Sequence, residues 1–127
     1  MIRADPHCLD HDPTPHPESP ARLRALLGAL DDRNVPFESA PPADETALAT
    51  VHDRSYTAEL RAFCADGGGR WDADTVAVPA TWDVARLSAG LAVAAVEAAA
   101  GGPTVALGRP RSGHRRSTRR YPTSLRP

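Results

Sequence analysis

Four side chains with metal-binding or nucleophilic chemistry stand close together near the start of the chain: His7, Cys8, His11 and His16. Thiolate and imidazole are the ligands zinc prefers, so the group invites a structural zinc site. Its spacing argues the other way. Structural zinc sites pair two short-spaced couples, whereas this stretch offers one cysteine among Asp5, Asp10, Asp12 and several prolines that restrict how it can wrap an ion. A proline-rich loop whose histidines hydrogen-bond locally is the competing reading, and stoichiometric zinc binding separates the two.

Asp72 and Asp74 follow the triplet Gly67-Gly68-Gly69. Two residues apart on extended backbone, their carboxylates point to one side. Most such pairs are merely solvated; the sharper reading is an acidic loop that receives a substrate amide or a cation. The glycine triplet is not a phosphate cradle, because no Lys-Ser or Lys-Thr follows and no helix opens directly after it.

Charge divides the chain at Gly108. Residues 1–108 carry eight arginines against sixteen acids, a formal −8, and residues 109–127 carry seven arginines against none, a formal +7. The net −1 averages two opposite populations. Taken alone, Arg109, Arg111, Arg115, Arg116, Arg119, Arg120 and Arg126 with Tyr121 suit an arm for phosphate backbones, so nucleic acid is a partner if this tail is genuine. The alternative is translation of GC-rich DNA out of frame, which yields Arg, Pro, Ser and Thr. The expectation is therefore a body at 1–108 and an Arg-rich tail at 109–127 that is out of frame or disordered.

The elements that must position these groups follow from periodicity. The first eighteen residues are expected to be irregular. A helix is expected from Pro20 to Asp32, capped by Ser19, with Leu23, Leu26, Leu27 and Leu30 on one face. Val35 to Glu38 suits a short strand. Asp44 caps a short helix containing Leu48, and Ser55 caps another with Tyr56, Leu60, Phe63 and Cys64 on one face, stopped by the glycines. Arg70 to Ala80 suits an extended loop. Thr81 opens the longest helix, with Val84, Leu87, Leu91 and Ala94 or Ala95 inward, and Pro103 to Leu107 is a short apolar strand of the buried parallel kind. The fold class is α/β.

At 127 residues the chain is one small domain at most, and the 41% apolar fraction includes 23 alanines that fill little core. Cys8 and Cys64 are too few for a disulfide framework, and no signal peptide is read at the start, so a reducing, cytoplasmic setting is expected. The Ala-rich run from Val84 to Ala100 is broken by Arg86 and Glu97, which argues against a membrane span.

These residues form an ordered series. Cys8-Leu9-Asp10-His11-Asp12 is followed by His16-Pro17-Glu18-Ser19-Pro20-Ala21-Arg22-Leu23, then Val51-His52-Asp53 with Tyr56, then Gly67-Gly68-Gly69 through Asp72-Ala73-Asp74-Thr75. Trp82 and Leu87-Ser88-Ala89-Gly90 then lead to Val105-Ala106-Leu107. Over about residues 8–107 the chain resembles the amino-terminal third of the zinc-dependent histone deacetylase family, with its acetoin-utilisation and acetylpolyamine amidohydrolase relatives. The resemblance implies the amino-terminal part of a three-layer α/β/α, mostly parallel-sheet fold. It also implies zinc as the family's cofactor, and hydrolysis of an acetyl-amide such as acetyl-lysine or an acetylated polyamine. In that chemistry the metal polarises the carbonyl and its bound water, a His of a Gly-His-His motif takes the proton, and a tyrosine steadies the oxyanion. Carried over, Arg22 lines the channel behind the metal, and Asp74 is the loop acid that holds the substrate's amide groups.

The resemblance departs at the break. Bacterial members run from the strand into Arg-Pro-Pro-Gly-His-His, whereas this chain reads Gly108-Arg109-Pro110-Arg111-Ser112-Gly113-His114-Arg115. Allowing one inserted residue, Gly113 and His114 fit and Arg115 replaces the second His; without insertion only His114 falls on a His, so His114 is the remnant of a broken dyad. The family's later zinc ligands and its tyrosine have no counterpart in these residues. The expectation is a chain that binds no zinc and is inactive as it stands. Little of the family's first strand is expected in Met1 to His7.

Overall fold

The computed structural model describes residues 1–109 apart from His16, Glu18 and Asp74. The described residues hold four α-helices and four short strands, in the order β1 (Ile2–Ala4), α1 (Ala21–Asp32), α2 (Glu45–Ala49), α3 (Arg54–Ala65), β2 (Gly69–Arg70), β3 (Val76–Ala77), α4 (Thr81–Ala98) and β4 (Val105–Leu107). A 3-10 helix, Pro6–Asp10, follows β1 directly, and a second, Ala99–Gly101, ends α4.

β1 and β4 pair in parallel, Ile2 against Val105, Arg3 against Ala106 and Ala4 against Leu107. A parallel bridge from Arg3 to Glu38 adds to the other edge of β1, held by Ala4 N–H to Glu38 O and Glu38 N–H to Ile2 O, both at 3.0 Å. The α/β class expected from the sequence is observed. The first strand, which the sequence did not announce, is present as well. Three residues are too few to show alternation, and Ile2–Ala4 is extended because its ladder partner lies about a hundred residues away.

β4 is parallel as expected but not buried, with Val105 52% exposed and Ala106 and Leu107 half-buried against α4, whose inward face is Val84, Leu87, Leu91 and Ala95, all buried. With Cys8 and Leu23 these form the main core, and Ala106 and Leu107 pack onto it. Gly90 lets the backbone of Pro41 approach α4, where Ala43 N–H donates to Arg86 O at 2.9 Å. By length and composition α4 with its 3-10 extension is apolar enough to cross a bilayer. Here, however, it lies against β1, β4 and the first 3-10 helix. Only Val93 and Val96 leave large apolar side chains exposed on it.

α1 starts at Ala21, close to expectation, but of its four leucines only Leu23 is buried and Leu26 is exposed. α2 is capped by Asp44 as expected, the carboxylate accepting from Ala47 N–H at 2.7 Å. For α3 the N-cap is Asp53, two residues before the expected Ser55. α3 ends in a Schellman arrangement, Gly68 N–H to Phe63 O at 2.9 Å and Gly67 N–H to Cys64 O at 3.1 Å. Both glycines have positive φ. At Gly68 any Cβ would also strike the carbonyl of Ala77. The stretch from Arg70 is not a plain loop: β2 and β3 pair antiparallel, Gly69 against Ala77 and Arg70 against Val76. Cys64, Ala77 and Trp82 form a second, smaller core beneath that hairpin.

Candidate functional site

In parallel α/β sheets, ligands gather where strands end at their carboxyl side, because the connecting loops converge there. β1 leaves into Asp5, the 3-10 helix and then His11, and β4 leaves into Gly108 and Arg109. Against the first of these exits stands Thr81, the first residue of α4.

His11 is 2% exposed. Its Nδ1 lies 2.8 Å from Thr81 Oγ1, and the same oxygen accepts Val78 N–H at 2.8 Å. Arg109, 6% exposed, donates from its guanidinium to His11 O at 3.3 Å. Its backbone N–H reaches the buried thiol of Cys8. By charge Arg109 counts with the tail; by burial it belongs to the folded body. Burial pushes the Cys8 thiol up, partly offset by that N–H, so this cysteine is a packed, protonated group rather than a nucleophile.

The outer residues are tied locally. Asp5 caps the 3-10 helix, its carboxylate accepting from His7 N–H and lying 2.8 Å from His7 Nδ1. The Ser39 hydroxyl also donates to it. Burial pushes the Asp5 carboxyl up, but the hydrogen bonds from Ser39 and His7 outweigh it and hold it below its ordinary 3.8. The Asp5 hydrogen bond raises exposed His7 above 6.5. The signs differ. Asp5 contributes stability that is present above pH 3.8 and lost as pH falls through its depressed value. His7 contributes below pH 6.5, and that contribution is lost as pH rises through its raised value. Urea unfolding across pH is expected to show an acid-side loss that Ser39→Ala shrinks and an alkaline-side loss that His7→Gln removes.

Asp72 sits at the tip of the hairpin. Trp71 N–H and Asp72 N–H both donate to Thr75 O, at 2.8 and 3.3 Å, and Arg70 donates to Ala73 O at 3.0 Å. Trp71 meets Phe63 and Tyr56 edge-on, with centroids 5.1 and 6.1 Å away, which seats the tip on α3. Burial, and then the Asp72 charge, push the Tyr56 hydroxyl up. Asp74 and His114 lie outside the described residues, as does His16. Arg22 stands in the first turn of α1, exposed to solvent.

Among the described residues no three His, Cys, Asp or Glu side chains converge to hold a metal. The reason is visible in their partners: His7 is tied to Asp5, Cys8 is enclosed against Arg109, and His11 is turned to Thr81. These groups do not fit a zinc ion. His7 is bonded locally, as the proline-rich-loop reading expects, whereas His11 finds its partner 70 residues away. The Pro-bounded loop and the helix-opening Thr81 were visible signals; their contact across 70 residues was not.

Comparison with known proteins decides the relationship. The histone deacetylase domain family matches residues 16–120, most of the chain. The chain belongs to the histone deacetylase domain family. The matched stretch runs past Gly108 and takes in Gly113-His114. A histone deacetylase-like amidohydrolase of Pseudomonas aeruginosa is 38% identical over 91 residues, 68% of this chain and 24% of that protein. A probable deacetylase of Methanothermobacter thermautotrophicus is 36% identical over 107 residues, 82% of this chain and 32% of that protein. The chain thus spans about a quarter to a third of the length of these curated relatives. The crystal structure of the HDA15 HD domain superposes with a TM-score of 0.77 at 26% identity, covering 87% of this chain and 35% of that one. The parallel β1–β4 pair with its helices is therefore part of an α/β deacetylase domain.

Proposed function

We propose that this chain carries the amino-terminal, substrate-facing rim of a zinc-dependent deacetylase acting on an acetylated amine, acetyl-lysine or acetylpolyamine, and that residues 1–127 by themselves do not catalyse the reaction. The family match through residue 120 carries the reading. Two features of the described residues support it. The loops leaving β1 and β4 meet at one end of the sheet through His11 and Arg109, and the acidic hairpin is seated by Trp71 on α3. On this reading Asp74 holds substrate amides and Arg22 lines the channel; where the residues beyond Gly108 are read in frame, His114 is what stands of the proton-transfer pair. A carboxylate suits the first role because two N–H donors can share its oxygens in short charge-assisted bonds. The metal's ligands are assigned to none of the described residues.

The origin of the Arg-rich stretch is tested on the gene. Translating the DNA beyond codon 108 in its other two frames is expected to reveal Gly-His-His followed downstream by Asp-x-His. If neither frame contains them, the account of the tail as an out-of-frame deacetylase segment is wrong.

A further inference from the structure

We propose that His11 is a positioning residue that couples the return of the hairpin at Val78 to the exit of β4 at Arg109, so that these two described positions open together. The inference deepens the reading of that rim as the substrate end of the domain.

The coupling is built from buried polar groups. Thr81, 5% exposed, has one hydroxyl proton and two lone pairs. One lone pair takes Val78 N–H, where the chain returns from β3, and the hydroxyl's remaining capacity meets His11 Nδ1. The ring is therefore held in one plane and one direction by the same oxygen that ends the hairpin. On its other side, the carbonyl of His11 takes the Arg109 guanidinium, while Arg109 N–H is directed at Cys8. A displacement of residue 11 as a whole carries both its ring and its carbonyl, and with the carbonyl the Arg109 guanidinium. These bonds lie away from water, where an abandoned donor or acceptor costs more than at the surface. Thr81 lies just before Trp82 of the smaller cluster and Val84 of the larger one, so the polar line runs where the two cores adjoin.

The test reads amide hydrogen exchange by NMR on the full chain. Val78 N–H and Arg109 N–H report the two loops; Ala4 N–H and Val105 N–H, bonded to Glu38 O and Met1 O, report the sheet. In the unaltered chain, exchange in low denaturant is expected to show Val78 and Arg109 opening with one free energy and one denaturant slope, both distinct from the sheet amides. Thr81→Val, which keeps shape and removes the hydroxyl, should speed exchange at both Val78 and Arg109 at least about tenfold while Ala4 and Val105 hold. Thr81→Ser should restore both. Faster exchange at Val78 alone overturns the proposal, as does a parallel rise at all four amides. If Thr81→Val does not fold, unequal opening of Val78 and Arg109 in the unaltered chain overturns it equally, as does the lack of protection at both. None of these readouts involves hydrolysis, so failure of the deacetylase reading leaves this result unchanged, and the reverse.

Discussion

Gly90→Ala is expected to destabilise the chain by about 2 kcal/mol or more, against the usual sign for such a change in a helix. An alanine inside a helix normally gains about 1 kcal/mol over glycine, because it restricts the unfolded chain and adds no polar group. At Gly90 the new Cβ would lie 1.9 Å from Pro41 O and 3.0 Å from Pro41 C. Those are backbone atoms with no rotamer to yield. The segment is also pinned to α4, with Ala43 N–H bonded to Arg86 O at 2.9 Å and Arg86 Nε bonded to Ala43 O at 3.0 Å. Relief of the clash therefore costs hydrogen bonds as well as packing. Gly28, inside α1, gives the opposite case, since nothing lies within 4 Å of its added Cβ. Gly28→Ala should stabilise by roughly 0.5–1 kcal/mol. Paired urea titrations of the two variants check the sign reversal. Equal and favourable shifts would show that α4 does not make this close approach.

Leu91→Ala should cost more, about 3 kcal/mol and within the 2–5 kcal/mol range of such truncations. Leu91 is 0% exposed and lies among Val84, Leu87, Leu23 and Cys8, the contacts that join α4 to α1 and to the first 3-10 helix. Removing its side chain leaves a cavity at the one point where these elements meet, and a small core has few neighbours able to collapse into it. Val96, on the same helix but 75% exposed, supplies the control. Val96→Ala should fall within about 0.5 kcal/mol of the unaltered chain. Similar losses for both variants would mean that α4 buries a different face.

The inward face of α4 was legible in the sequence because eighteen residues allow several turns of a 3.6-residue repeat. The cap at Asp44 and the apolar run of β4 were legible for local reasons too: one carboxylate before a short amphipathic stretch, and branched residues after a glycine pair. Ile2–Ala4 and the Gly69–Arg70 with Val76–Ala77 hairpin were not, since two- and three-residue strands owe their conformation to distant or cross-strand partners. Leu26 fits the repeat of α1 and is still exposed, because the helix lies on its neighbours along a narrower stripe than its leucines span. At the rim, the order of the family's motifs was readable and led to the correct family. The partner of His11 was not, because nothing near residue 11 signals a threonine at 81. Arg109 was masked by its company: six further arginines follow it in the sequence, and nothing in their order marks the first of them as buried.

The most direct test of the central claim is hydrolysis itself. Purified residues 1–127 should be incubated with zinc and either an acetyl-lysine peptide or an acetylated polyamine, with acetate release and bound metal both measured. The account predicts no acetate above the buffer rate and no stoichiometric zinc, because the described His, Cys, Asp and Glu side chains do not converge and no His-His pair stands in the sequence beyond Gly108. Acetate release that depends on added zinc would contradict it.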